Sequence, residues 1–192
     1  IELFTEGSLN TFAKPTNVDT SSRILCYDIR DLGKQLQPVG MLVVLDSVFN
    51  RIIRNRKLGK STWVYIDEIY LLFQHEYSAN FLFTLWKRVR KYGACCTGLT
   101  QNVDDLLQSH TARTMLANSE FLVMLNQAAT DRAELANLLN ISDNQLSYIT
   151  NVDSGRGLIK CGSAIVPFMN SFPKNRLYQL MTTRPSETMA AA

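Results

Sequence analysis

An α/β fold with a mostly parallel sheet, flanked by helices and closed by an antiparallel edge hairpin, is predicted by three features of this sequence. Short apolar runs recur that are continuous rather than alternating, as in STWVYIDE from Ser61, and such runs suit strands covered on both faces. Segments of helical spacing separate those runs, which argues for strand-helix-strand units and parallel pairing. Late in the chain, GRGLIKCG and SAIVPFMN meet at Gly162 and Ser163 as the two arms of a hairpin.

RILCYDI, residues 23–29, is apolar, β-capable and ends in an Asp, so it is the first expected strand. After Pro38, MLVVLDSVFNRIIRNRK carries apolar residues at 41, 45, 48, 49, 52 and 53, a helical spacing with a thick buried face. Trp63, Val64, Tyr65 and Ile66 form the expected central strand. Ser78 is the expected N-cap of a helix over ANFLFTLWKRVRKYG, which stops at Gly93 as a helix with a C-terminal glycine should. ACCTGLTQ then reads as a strand ending in Thr100 and Gln101, residues 103–117 as helix or turn, and EFLVMLNQ, residues 120–127, as a third strand of the same buried kind. TDRAELANLLN and SDNQLSYIT read as helices, the second opened by a capping box of Ser142 and Gln145. On this reading residues 1–22 are a loop or linker, 23–181 the domain and 182–192 a flexible tail. The opening residues are polar and turn-rich and lack an initiator Met, so the chain is expected to start inside a larger protein; RPSETMAAA reads as a frayed tail or an expression scar.

Composition narrows the classes. With 192 residues, 46% hydrophobic and 19% charged, the chain has enough apolar material for a sizeable core. A net charge of +3 does not by itself argue for nucleic acid, because such a footprint needs clustered charge. One cluster exists, RIIRNRKLGK at 51–60, which is either a solvated helix end or a phosphate-contact patch. The four cysteines, at 26, 95, 96 and 161, form no C-x-x-C pair, and with only His75 and His110 beside them a structural zinc site is not expected. Cys26, Cys95 and Cys161 sit in or beside strand-like runs and are expected to be buried thiols of a reducing cytosol. No run approaches the roughly 18 to 20 uninterrupted apolar residues of a membrane span, and no signal peptide opens the chain.

In parallel sheets the chemistry sits at the carboxyl ends of the strands. Three such ends carry polar residues: Asp67 and Glu68, then Thr100 and Gln101, then Asn126 and Gln127. A strand of four bulky apolar residues followed by Asp-Glu is the form of a Walker B element. There the Asp holds Mg²⁺ through its water shell and the Glu orients or deprotonates the water that attacks a γ-phosphate. Without those roles, Glu68 simply opens the next helix at its positive end and Gln101 is a solvated amide. Arg88 and Arg90, about twenty residues after the acids on WKRVRKYG, and Arg156, between two glycines in SGRGLIKCG, are candidate phosphate contacts, because the guanidinium fork bonds two oxygens and keeps its proton. A P-loop, G-x-x-x-x-G-K-[ST], is not present: LGKST at 58–62 has Arg54 where the first glycine belongs, and it precedes a strand instead of following one.

Taken in order, TNVDTSSRILCYDIRDLG, MLVVLDSVFNRIIRNR, WVYIDEIYLLF, WKRVRKYG, GLTQNVDDLL, SEFLVMLNQAATDRAELANLL and SGRGLIKCG resemble the energising ATPase of type IV secretion and conjugation systems, the VirB-four family, in its Gram-positive conjugative-element form. The resemblance runs from about Asn17 to Pro173. It implies the C-terminal part of a RecA-like P-loop NTPase core lacking the P-loop half, with ATP and Mg²⁺ as cofactors. Asp67 and Glu68 then match the Walker B pair, Gln101 the glutamine of the motif after the next strand, and Arg156 the late Gly-Arg-Gly motif. Arg88 or Arg90 matches an arginine finger, and Gln127, with Asp131 and Arg132, matches a further motif without an assigned role. The implied partners are other subunits of the transfer machine, copies of itself in a hexamer and possible DNA, at the cytoplasmic face of the membrane through partner proteins, although the fragment alone could be monomeric. Alternatives are a DNA-pumping translocase or coupling protein of the same fold, and a catalytically silent docking subunit.

Overall fold

The computed structural model describes residues 6, 10–15, 17–101 and 103–182, so the predicted tail lies almost wholly outside the described residues. Two compact units are formed, Ile1–Gly40 and Met41–Ala192. In the first, Asn10–Ala13 and Arg30–Leu32 make short 3-10 turns. RILCYDI is not a strand: residues 23–29 join no ladder, and Ile24 is 83% exposed. An apolar run becomes a strand only where a neighbouring strand pairs its N–H and C=O groups, and no described strand does so here. Helix α1, Gly33–Lys57, begins before Pro38 instead of after it. Pro38 falls in the second helical turn, where it lacks the N–H that would bond the Lys34 carbonyl and its ring crowds that carbonyl, a cost the helix carries.

In the second unit α1 buries Met41, Leu45 and Ile52, and Phe49 meets Phe81 and Tyr92 edge-on at centroid distances of 6.4 and 5.6 Å. The segment Leu36–Lys57 is, by length and composition, a helix able to cross a membrane, a property missed by asking for an uninterrupted apolar run. Strand β1, Thr62–Ile66, runs parallel to β2, Ala94–Gly98, with Thr62 opposite Ala94 and Ile66 opposite Gly98. Between them lies α2, Glu76–Arg88, which tightens into a 3-10 turn at Val89–Tyr92 and stops at Gly93 with φ 66°, as its sequence predicts. His75, not Ser78, occupies the N-cap position. Ser78 is buried one turn in, its hydroxyl 2.6 Å from the Leu72 carbonyl and 3.0 Å from that of His75, so it ties the preceding turn to the helix.

Among the described residues the β1–β2 ladder is covered on one face only. Trp63 and Tyr65 are 65% and 67% exposed, and their register partners Cys95 and Thr97 are exposed beside them. Helices α3, Val103–Gln108, and α4, His110–Ala117, follow, the second capped by the Ser109 hydroxyl. EFLVMLNQ does supply a strand, β3, Phe121–Met124. It pairs antiparallel with β4, Arg156–Cys161, which pairs antiparallel with β5, Ala164–Met169, across the predicted hairpin. Phe121 and Val123 are exposed, so this strand is covered on one face and is not the doubly buried kind expected. Helices α5, Ala129–Leu139, and α6, Asp143–Leu146, lie between β3 and β4, and the Ser142–Gln145 capping box is present. Leu107, Met124, Leu135, Leu139, Ile141, Ile149 and Leu158 form the core cluster there. A short helix, α7, spans Arg176–Met181.

The cysteine expectation fails for Cys26, Cys95 and Cys161, which are exposed. Cys96 is the half-buried one. Burial, and then the neighbouring Cys95, push its thiol up to about 12.

Candidate functional site

At the carboxyl end of the parallel ladder the chain makes a tight, strained turn. Ile66 accepts a hydrogen bond from the Leu99 N–H at 2.8 Å, and the Leu99 carbonyl accepts one from the Ile69 N–H at 2.9 Å. Residues 67 and 68 are therefore pinched between two anchored positions. Glu68 is forced into the left-handed region, φ 48° and ψ 48°, which costs a non-glycine residue about 1 kcal/mol. Gly98 makes room for the turn, since a Cβ there would come within 2.5 Å of the Ile69 side chain. The Asp67 carboxylate accepts the Glu68 N–H at 3.1 Å.

Glu68 does not do what a helix-opening residue would do. It precedes the 3-10 helix Ile69–Phe73 yet makes no side-chain capping bond. Its Oε2 is buried without a hydrogen-bond partner, alone in this among the described side chains. A buried carboxylate oxygen left unpaired costs of order 1–3 kcal/mol. Gln101 follows Leu99 by two residues and is exposed, so the structure gathers Asp67, Glu68 and the segment bearing Gln101 at one edge.

Arg88 and Arg90 lie at the other end. The Gly93 N–H donates to the Arg90 carbonyl, and the Gly93 carbonyl accepts from Thr62, the first residue of β1. The five residues of β1 span about 16 Å, so these arginines and the acids of the same chain are separated by the length of the strand. Gln127 and Arg156 belong to the antiparallel sheet. The Gln127 side chain turns back onto the Leu125 carbonyl at 3.1 Å, its N–H donates to Ile149, and Asn126 Oδ1 accepts the Val152 N–H at 3.2 Å. Arg156 is exposed and 3.5 Å from Asp153. Its flanking glycines serve packing: a Cβ on Gly155 would overlap the Asn170 carbonyl oxygen, and one on Gly157 the Met124 carbonyl oxygen.

The sequence profile of the TraG P-loop domain matches residues 16–159. The chain belongs to the TraG P-loop domain family. A solved structure titled "Structure of VirB4 of Thermoanaerobacter pseudethanolicus" is similar at 25% identity and a TM-score of 0.79, over 92% of this chain. Sequence and fold are thus those of a VirB4-like chain of the P-loop domain family, built on a RecA-like α/β core. This chain spans 49% of the length of that structure's chain. No curated protein sequence matches it.

Although the family is that of a P-loop domain, no P-loop motif occurs within these 192 residues. LGKST is the exit of α1: Gly59 has φ 66°, the Lys60 N–H donates to the Asn55 carbonyl at 2.9 Å, and Asn55 Nδ2 donates to Thr62 Oγ1 at 2.9 Å. For Mg²⁺ and ATP, the acidic half of a TraG-type site fits. Asp67 is exposed with only one oxygen engaged by the backbone, and Glu68 holds an unpartnered oxygen. No cluster of three or more His, Cys, Asp or Glu side chains able to hold a metal directly occurs among the described residues. Sequence reasoning missed two features of this edge. One is Gly98, a lone glycine inside a strand, which is a legible sign of close approach. The other is an open cleft of about 370 Å³ along Ile69–Phe73, lined by Tyr70, Phe73, Gln74, Asp105, Gln108 and Ser109, to which no short motif points.

Proposed function

We propose that this chain is the C-terminal part of an ATP-hydrolysing motor that energises a type IV secretion or conjugative DNA-transfer channel. It would work with other subunits of that machine at the cytoplasmic face of the membrane. The observation that carries this reading is the Asp67–Glu68 turn. A strained backbone and an unpaired buried carboxylate oxygen both persist there at the carboxyl edge of the parallel strands, and native structures rarely keep either without use.

In this reading Asp67 and Glu68 form the Walker B pair. Mg²⁺ bound with ATP supplies charge neutralisation at the phosphates, and Asp67 is the residue that would hold it through water. Glu68, whose free oxygen has no protein donor, orients a water molecule and takes its proton. Gln101, just beyond the end of the adjacent strand, senses the phosphate; Gln127, turned onto the Leu125 carbonyl, and Arg156, beside Asp153, take no step in this reading. Arg88 or Arg90 cannot reach the acids of its own chain across the strand length, so it serves a neighbouring subunit's nucleotide, which calls for a ring, a hexamer in this family reading. The residues that cradle the β- and γ-phosphates belong to a P-loop outside this stretch, so the 192-residue chain by itself turns over no ATP.

The test is Glu68→Gln in a protein that also carries the P-loop half. Nucleotide affinity should stay within about twofold, while turnover falls by roughly 10²- to 10⁴-fold, the usual contribution of a positioned base. Steady-state hydrolysis at the wild-type rate would remove Glu68 from this role.

A further inference from the structure

We propose that the amino edge of the β1–β2 ladder is a docking surface for an anionic lipid bilayer. Two basic segments about thirty residues apart in sequence meet there. The end of α1 brings Arg54, Arg56 and Lys57, followed by Lys60. The end of α2 and its 3-10 extension bring Lys87, Arg88, Arg90 and Lys91. The two are held together where the Thr62 N–H donates to the Gly93 carbonyl at 3.3 Å, and where the Arg56 guanidinium lies 5.1 Å above the Tyr92 ring.

All eight cations are exposed. No Asp or Glu occurs in residues 47–66 or 77–103, and none of the eight is ion-paired with a described carboxylate. Each cation taken singly complements a helix C-terminus. Helix dipoles do not explain why two such ends converge without an ion pair among the described residues.

Either a nucleic-acid backbone or a bilayer would reward the charge; the apolar residues decide between them. Leu58 is 58% exposed, set between Lys57 and Lys60 at the Gly59 turn. Trp63, next to Thr62, is 65% exposed. A phosphodiester backbone leaves Leu58 in water. An anionic interface takes a projecting Leu among its acyl chains, an indole at headgroup level and lysines at the phosphates. Tyr92, the aromatic centred among these cations, is already occupied by Arg56 and Phe49, so it is not free to stack on a base. The proposal does not depend on the ATPase reading; an arginine given to a neighbouring subunit, Arg88 or Arg90, leaves seven of the eight cations to the bilayer.

The experiment is co-sedimentation of the 192-residue chain with vesicles of phosphatidylglycerol and phosphatidylcholine in equal parts, against phosphatidylcholine alone. The chain should bind the anionic vesicles only and be released by salt. Lys57→Glu with Lys60→Glu should weaken binding about 25-fold or more, at about fivefold per cation removed. Leu58→Ser should weaken it severalfold, with both variants keeping the wild-type circular dichroism. Failure to bind, equal binding to phosphatidylcholine, or indifference to these substitutions would overturn the proposal. So would tight binding of mixed-sequence duplex DNA that the charge reversal abolishes and Leu58→Ser leaves intact.

Discussion

The turn after β1 and the Gly-Arg-Gly entrance to β4 both carry candidate phosphate-site residues, and the structure treats them in opposite ways. At β4 every unusual feature has an internal use. Gly155 and Gly157 admit the carbonyls of Asn170 and Met124, Arg156 is near Asp153, and the Gln127 amide is satisfied by Leu125. At β1 the unusual features remain unresolved: Glu68 is left-handed and its Oε2 has no partner. A residue type that suits phosphate chemistry marks a candidate. Strain and an unsatisfied group that the fold itself does not use are what separate the two regions.

That contrast can be tested through stability. Gly157→Ala should be the most damaging change, about 3 kcal/mol or more in denaturant unfolding, because the new Cβ meets a main-chain carbonyl inside a ladder and not a movable side chain. Glu68→Asn should move the other way, raising stability by about 1 kcal/mol, since Asn tolerates the left-handed region and removes the unpaired carboxylate. A loss of stability in that variant would mean that Glu68 is a structural residue. Arg156→Ala should shift stability by no more than about 0.5 kcal/mol, its ion pair being long and solvent-exposed.

An effect seen only in alkali distinguishes the two faces of β2. Cys96 holds its proton more tightly folded than unfolded, with a thiol pushed up to about 12 from an ordinary 9.0. Between those values the folded state binds more protons, so stability is full below pH 9 and falls as pH rises towards 12. A Cys96→Ala variant should lose that slope. At neutral pH, thiol titration of the folded chain should label exposed Cys95 far faster than Cys96.

Much of the fold was legible locally. The strand at 62–66, the glycine stop at Gly93, the Ser142–Gln145 box and the hairpin at Gly162 all depend on residues within a few positions of one another. The misreadings share a different cause. RILCYDI has the composition of a strand and no neighbour to pair with among the described residues, and EFLVMLNQ is a strand whose neighbour runs the other way. The cysteines and Trp63 look buried because apolar runs usually are, but one face of each described sheet stays open. Pairing direction and sheet coverage are properties of partners distant in sequence, which periodicity does not encode.

For the candidate site, the sequence by itself determined the chemistry on offer: two adjacent carboxylates at a strand end, a glutamine at the next, arginines on a basic helix, and no P-loop within these residues. Only the tertiary structure decided that the acids and Gln101 share one edge while Arg88 and Arg90 lie a strand's length away, that the glycines beside Arg156 admit carbonyls of the chain itself, and that two basic segments form one surface. The physical reason is that residue type fixes charge and hydrogen-bonding capacity locally. Which groups remain unpaired depends on strand register, and register is set by contacts between residues tens of positions apart.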